Sequence, residues 1–193
     1  MKFVFFLPLF VFSACASSSA QGDSLNDSER QEKFLELFEM EVQNRAFALL
    51  SAERGLENAT SDGDKIFLGA WLDWERFLKE RYAPYAKKYG LTQEPETGAK
   101  MQANLAVVGQ ALLPDSKVMN LMLDNTISYV EKLRELERVS PEEDRAFFAF
   151  VVEQEEAQVD ALRLRVDEDY QGGADVLRNF MKGSSAGDSA VDL

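Results

Sequence analysis

The chain contains no histidine, and a single cysteine, among its 193 residues. Without histidine there is no Ser-His or Cys-His nucleophile pair, no His-ligated zinc or haem, and no imidazole acid–base step. One cysteine excludes an intrachain disulfide and any cysteine cage for zinc or an iron–sulfur cluster. Basic residues are scarce as well: 21 Lys and Arg stand against 34 Asp and Glu, for a net charge of -13. A chain so acidic lacks the basic face with which proteins grip nucleic acid or an anionic lipid surface. No nucleic-acid partner is therefore expected. No glycine-rich phosphate loop follows a strand-like run, and no segment sustains the period-two alternation of a half-buried strand. What is present is an ordinary globular composition, 46% hydrophobic and 28% charged.

The first twenty residues read as an export signal. Met1-Lys2 precedes an apolar run from Phe3 to Phe12, followed by the small residues Ser13 to Ala20. The run is too short to span a bilayer, which needs about 20 apolar residues. Phe12-Ser13-Ala14-Cys15 resembles the lipobox of bacterial lipoproteins, which implies cleavage before Cys15 and lipidation of that cysteine. Ala16 would then favour the outer membrane over inner-membrane retention. The alternative is ordinary cleavage after Ala16 or Ala20, with Cys15 incidental. Either way the expected location is outside the cytoplasm, periplasmic or outer-membrane-anchored, with membrane contact only through the N-terminal lipid. Residues 21–28, rich in Ser, Gly and Asp, suit a flexible tether.

From there the punctuation is helical, and the expected bundle domain covers residues 29–182. Ser28 and Gln31 form a capping-box pattern ahead of the apolar period Phe34, Leu37, Phe38, Val42, Leu49, Leu56. A second helix carries Phe67, Leu68, Trp71, Leu72, Trp74, Leu78, Tyr82 and Tyr85; Pro84 predicts a kink or an early end. The Trp and Tyr residues of this stretch read as core packing. A long connection follows, with a loop at Thr92 to Gly98 and a short helix from Lys100 to Leu113. The third long helix starts near Asp115 and carries Val118, Leu121, Met122, Tyr129, Leu133 and Leu136. Ser140-Pro141-Glu142-Glu143 predicts the start of a fourth, through a Ser cap and Pro at the first helical position. That helix carries Phe148, Val151, Val152, Val159, Leu162 and Val166 and is expected to break at Gly172-Gly173. A short helix from Ala174 to Lys182 and a disordered tail, 183–193, complete the expectation. The acidic residues Glu142, Glu143, Asp144, Asp167, Glu168 and Asp169 read as a solvated face.

Carboxylates on the apolar stripes are the informative residues, because a buried charge is costly unless paired. Glu155 lies between Val151, Val152, Val159 and Leu162, with Gln158 on the same face. Glu75 has Trp71, Leu72, Leu78 and Tyr82 at helical offsets. Glu41 follows Leu37 and Phe38, with Arg45 one turn later. Helix three offers Glu131, after Ile127, or Glu135.

Two hairpins joined by a long crossover, carrying this set of carboxylates, resemble the ferritin and rubrerythrin superfamily. The resemblance covers roughly residues 30 to 170 and implies an all-α, ferritin-like four-helix bundle with a long helix 2–3 crossover and a short C-terminal helix. It implies a di-iron site with Glu41 and Glu131 as the ligands of helices one and three. Glu75-Arg-Phe-Leu78 occupies the second-helix Glu-x-x-His motif, and Glu155-Glu-Ala-Gln158 the fourth-helix one. Leu78 and Gln158 stand where that family has histidine. Four carboxylates and an amide would suit Mg, Mn or Ca better than redox iron. Arg45 is expected to neutralise a buried carboxylate in place of a metal. The favoured expectation is thus a binding or structural envelope protein with no cofactor, meeting a protein or small molecule through its surfaces. The alternative is a metal-binding protein, for Mg, Mn or Fe, using Glu41, Glu75, Glu131, Glu155 and Gln158.

Overall fold

The computed structural model describes residues 26–95 and 115–188. The export signal with Cys15, most of the tether, the Lys100 to Leu113 segment and residues 189–193 lie outside them. Among the described residues there is no strand. The helices are α1 (Asp27–Glu57), α2 (Asp62–Lys88), α3 (Asp115–Val139), α4 (Arg145–Val166) and α5 (Tyr170–Asp188), with a 3-10 turn at Glu142–Asp144. None of them is long and apolar enough to cross a membrane.

The helix ends show which local chemistry prevails. Asn26, rather than Ser28, caps α1: Glu29 N donates to Asn26 Oδ1 at 3.0 Å and Asn26 N to Glu29 Oε2 at 3.1 Å. The helix thus begins two residues before the expected start of the bundle at 29. Ser61 caps α2, accepting from Asp64 N at 2.9 Å. Helix α2 runs through Pro84 to Lys88. Pro84 and Glu80, whose carbonyl loses its usual donor, are both exposed, so water can take the place of that bond. Gly90, at φ 71°, supplies the left-handed residue that closes α2, with Leu91 N donating to Ala86 O at 2.8 Å. The Ser140 cap does not form. Ser140 Oγ donates back to Glu137 O at 2.7 Å, and α4 begins only after the 3-10 turn. Asp144 in that turn is buried, not solvated: it accepts from Lys88 Nζ at 2.6 Å and Tyr89 OH at 2.5 Å.

Side-chain contacts fix the directions of the four long helices. Glu41 of α1 meets Tyr82 of α2, while Phe34 meets Tyr89, so α1 and α2 are antiparallel. Arg30 donates to the carbonyls of Arg138 and Val139, and Tyr129 reaches Glu41, so α1 and α3 are also antiparallel. Tyr85 stacks on Phe147 at 3.7 Å while Asp64 pairs with Arg165, which sets α2 against α4 in the same way. Phe34 and Phe38 touch Phe148 while Arg45 touches Glu155 and Gln158, so α1 and α4 run parallel across the diagonal. The core is Phe34, Phe38, Trp71, Trp74, Leu78, Leu133, Leu136, Phe148 and Leu162, each no more than 1% exposed.

The last helix departs most from expectation. Gly172-Gly173 does not break the chain; the break lies at Asp167–Asp169, where Glu168 adopts φ 64°. Asp169 Oδ1 then accepts from Gly172 N at 2.8 Å and starts α5, which continues to Asp188. The expected short helix is thus 19 residues long, and positions 183–188 of the expected tail belong to it. Helix α5 packs against both α2 and α4. Ala174 and Leu177 are fully buried, and Phe180 lies 5.1 Å from Trp74 and 5.7 Å from Phe150. A Cβ on Gly173 would stand 2.8 Å from Ala161 O and 2.9 Å from the Phe67 ring, which only a glycine avoids at that crossing.

Candidate functional site

Midway along the bundle, α1, α2, α3 and α4 each turn a polar side chain into the core. Arg45, 4% exposed, lies among them. Its Nε stands 3.3 Å from Glu41 Oε1, its Nη1 3.4 Å from Glu75 Oε1, and its Nη2 3.4 Å from Glu155 Oε2. Nη1 also donates to Gln158 Oε1 at 3.1 Å. Each carboxylate has a further donor. Tyr82 and Tyr129 give their hydroxyls to the two oxygens of Glu41, at 2.8 and 2.6 Å. Trp71 Nε1 donates to Glu75 Oε1 at 3.1 Å, and Gln154 Nε2 to Glu155 Oε2 at 3.2 Å. Six buried side-chain atoms of the group have no hydrogen-bond partner among the described residues: Arg45 Nε and Nη2, Glu75 Oε2, Gln154 Oε1, Glu155 Oε1 and Gln158 Nε2.

Three carboxylates against one guanidinium would leave excess negative charge in a low-dielectric core. The proton affinities respond accordingly. Burial raises Glu75 to about 7, and the charge of Glu41 adds to this, while Arg45 and the Trp71 hydrogen bond pull it down. Burial raises Glu155 to about 7 in the same way, opposed by Arg45. Burial opposes the charge of Arg45, but Glu75, Glu155 and Glu41 together hold it well above its ordinary value. Burial, followed by the charge of Glu41, keeps the phenols of Tyr82 and Tyr129 protonated far beyond neutral pH.

Of the residues singled out in the sequence, Glu41, Arg45, Glu75, Glu155 and Gln158 are brought together. Glu131 is not. It lies exposed on the outer face of α3, paired with Arg134, which also reaches Glu156 at 2.6 Å. The cause is the register of α3: its inward stripe is Met122, Thr126, Tyr129, Leu133 and Leu136, whereas Ile127, one turn before Glu131, is 42% exposed. Tyr129 takes the inward place expected of a third-helix carboxylate. Leu78, where the resembling family has histidine, is wholly buried and offers no donor atom. Sequence reasoning counted Trp71, Tyr82 and Tyr129 only as packing and passed over Gln154. The available signal was that a buried phenol or indole needs a partner for its polar atom.

The set does not fit a di-iron centre. Arg45 stands among the carboxylates that would be ligands, and among the described residues no group of three or more acidic or thiol side chains is placed to hold a metal ion. Elsewhere, a surface depression of about 420 Å³ opens at the α3–α4 turn, beside Arg30, Lys88 and Arg145. Lys88 and Arg145 are there paired with acidic neighbours, and Arg30 is bonded to backbone carbonyls. No protein-family model matches the chain, and no curated protein or solved structure is significantly similar to it.

Proposed function

We propose that the chain is an exported, lipid-anchored helical bundle of ferritin-like layout, acting at the cell envelope as a binding or structural protein without redox metal chemistry. The observation that carries this reading is the guanidinium of Arg45 among Glu41, Glu75 and Glu155. A positive charge built into the chain does there what a bound metal would do for the same carboxylates. Leu78 at a ligand position supports it, because an apolar side chain cannot complete a coordination sphere. The ferritin-like layout is supported by the two antiparallel hairpins and the parallel α1–α4 diagonal. Anchoring rests on the small residues before Cys15.

Elemental analysis of protein purified without chelators tests the metal-free reading. Protein with no stoichiometric Fe, Mn or Mg agrees with it. Stoichiometric metal that Glu155→Ala loses would establish the alternative carboxylate site. Labelling with a lipid precursor tests the anchor: incorporation should vanish in Cys15→Ser, and persistent labelling would refute attachment there.

A further inference from the structure

The surface depression at the α3–α4 turn is walled by elements that are tied to one another. The first turns of α1 form one side, the end of α2 another, and the α3–α4 connection the third. Arg30 donates from Nη2 to Arg138 O at 2.9 Å and from Nε to Val139 O at 3.3 Å, which fastens α1 to the end of α3. Lys88 and Tyr89 both donate to Asp144, at 2.6 and 2.5 Å, and the Tyr89 ring meets Phe34 edge-on at 4.8 Å. The cleft is therefore formed before any ligand arrives. Its volume of about 420 Å³ falls in the range of about 300–1,000 Å³ usual for small-molecule sites. It shares no residue with the Arg45 cluster.

Its chemistry is two-sided. Phe34, Leu35, Tyr89, Val139 and Pro141 give it an apolar lining. Most of its charges are spent on one another: Arg145 pairs with Glu142 at 2.7 Å, and Lys88 with Asp144 and Glu143. Arg30 is the cation left over. Its bonds go to backbone carbonyls, no carboxylate pairs with it among the described residues, and both N–H groups of Nη1 remain uncommitted there. The same bonds hold the guanidinium in place, so an anion meeting it does not have to order a free arginine side chain. We propose that this cleft binds a small amphipathic carboxylate, with its alkyl or aryl body on the apolar lining and its carboxylate on Arg30. A single negative charge is what the cleft accepts, because a dianion such as phosphate would also face Asp27, Glu142 and Glu143. Such binding depends neither on the lipid anchor nor on the state of the Arg45 cluster.

The test compares three probes with one alkyl body, octanoate, octan-1-ol and octylammonium, titrated into the whole chain and followed by calorimetry and by amide NMR shifts. Octanoate should bind saturably at one site per chain and shift the amides of residues 30–35 and 139–145. Octan-1-ol and octylammonium should bind at least about tenfold more weakly, the worth of one charge-assisted hydrogen bond, and inorganic phosphate should not bind. Arg30→Gln, which keeps a donor for the α3 carbonyls but no charge, should weaken octanoate by the same factor and leave octan-1-ol unchanged. Gln31 is an exposed residue of the lining, so Gln31→Trp fills the cleft without disturbing the core and should abolish octanoate binding. The proposal is overturned by the absence of saturable octanoate binding, by the alcohol, the ammonium or phosphate binding as tightly, or by shifts confined to other residues. Undiminished binding in a folded Arg30→Gln overturns it as well. If Arg30→Gln does not fold, Gln31→Trp decides: lost binding supports the site, and retained binding overturns it. Failure of these titrations leaves the metal-free reading standing, since elemental analysis decides that one separately.

Discussion

At the residue scale, the cost of disturbing the central cluster depends on which charge is removed. Arg45→Ala leaves Glu41, Glu75 and Glu155 facing one another without a counter-charge. Removing one partner of a buried ion pair costs about 3–5 kcal/mol, and urea unfolding should show a loss of that size. Tyr129→Phe takes away one hydroxyl from Glu41 and leaves Oε2 without its 2.6 Å donor, so the expected loss is about 1–3 kcal/mol. An Arg45→Ala variant as stable as wild type would mean that the three carboxylates are already neutral. The residues of this cluster were unevenly legible in the sequence. Glu155, Glu75 and Arg45 stand on strong apolar stripes, and their position follows from helical spacing alone. Tyr129 sits on such a stripe too, but a tyrosine there is indistinguishable from packing until a carboxylate is seen opposite it. Glu131 misled because Ile127 looked like part of the stripe, and a helix surface also carries apolar residues singly.

At the scale of elements, long helices were readable from periodicity, and their ends were less so. Asn26 and Ser28 are both good caps two residues apart, and only the reciprocal bond with Glu29 distinguishes them. Asn26→Ala should lower stability by about 1 kcal/mol, whereas Ser28→Ala should have little effect; chemical denaturation of the two variants checks this. The Gly172-Gly173 pair reads as a break, but its two glycines serve the start of α5 and its close approach to α4. Nothing local could show this, since the atoms that exclude a side chain at Gly173 belong to Ala161 and Phe67. Gly173→Ala must push against a backbone carbonyl, and overpacking of this kind costs about 1–3 kcal/mol. Thermal melting should show the decrease, and an unchanged melting temperature would mean that α5 shifts freely along α4.

For the whole molecule, the buried acids couple stability to pH. Glu75 and Glu155 have folded-state values near 7, above the ordinary carboxylate value of 4.5. Between pH 4.5 and 7 the folded chain therefore binds more protons than the unfolded one, and these two groups make stability fall as pH rises. Their contribution is greatest below pH 4.5 and levels off above pH 7. The charged groups they meet are Glu41 and Arg45 of α1, with the phenols of Tyr82 and Tyr129 adjoining Glu41. Against a Glu75→Gln/Glu155→Gln variant, which cannot ionise there, wild type should lose relative stability across that interval; at about 1.4 kcal/mol per pKa unit the difference reaches a few kcal/mol. Parallel pH profiles for the two proteins would show that the acids are ionised throughout. The all-helical character of the molecule was legible in the sequence. The site of α5 was not, because it depends on how far α2 and α4 stand apart.

That placement has a kinetic side. Trp74, Phe150 and Phe67 are covered by residues 173–180, which follow the four long helices in the chain. A ribosome or a translocation channel releases a chain from its N-terminus onward, so the four long helices emerge before their last cover does. Until residue 180 is free, an aromatic groove remains open to water and to whatever binds nascent chains. Completion of this fold therefore waits for α5, whose residues follow the four long helices along the chain.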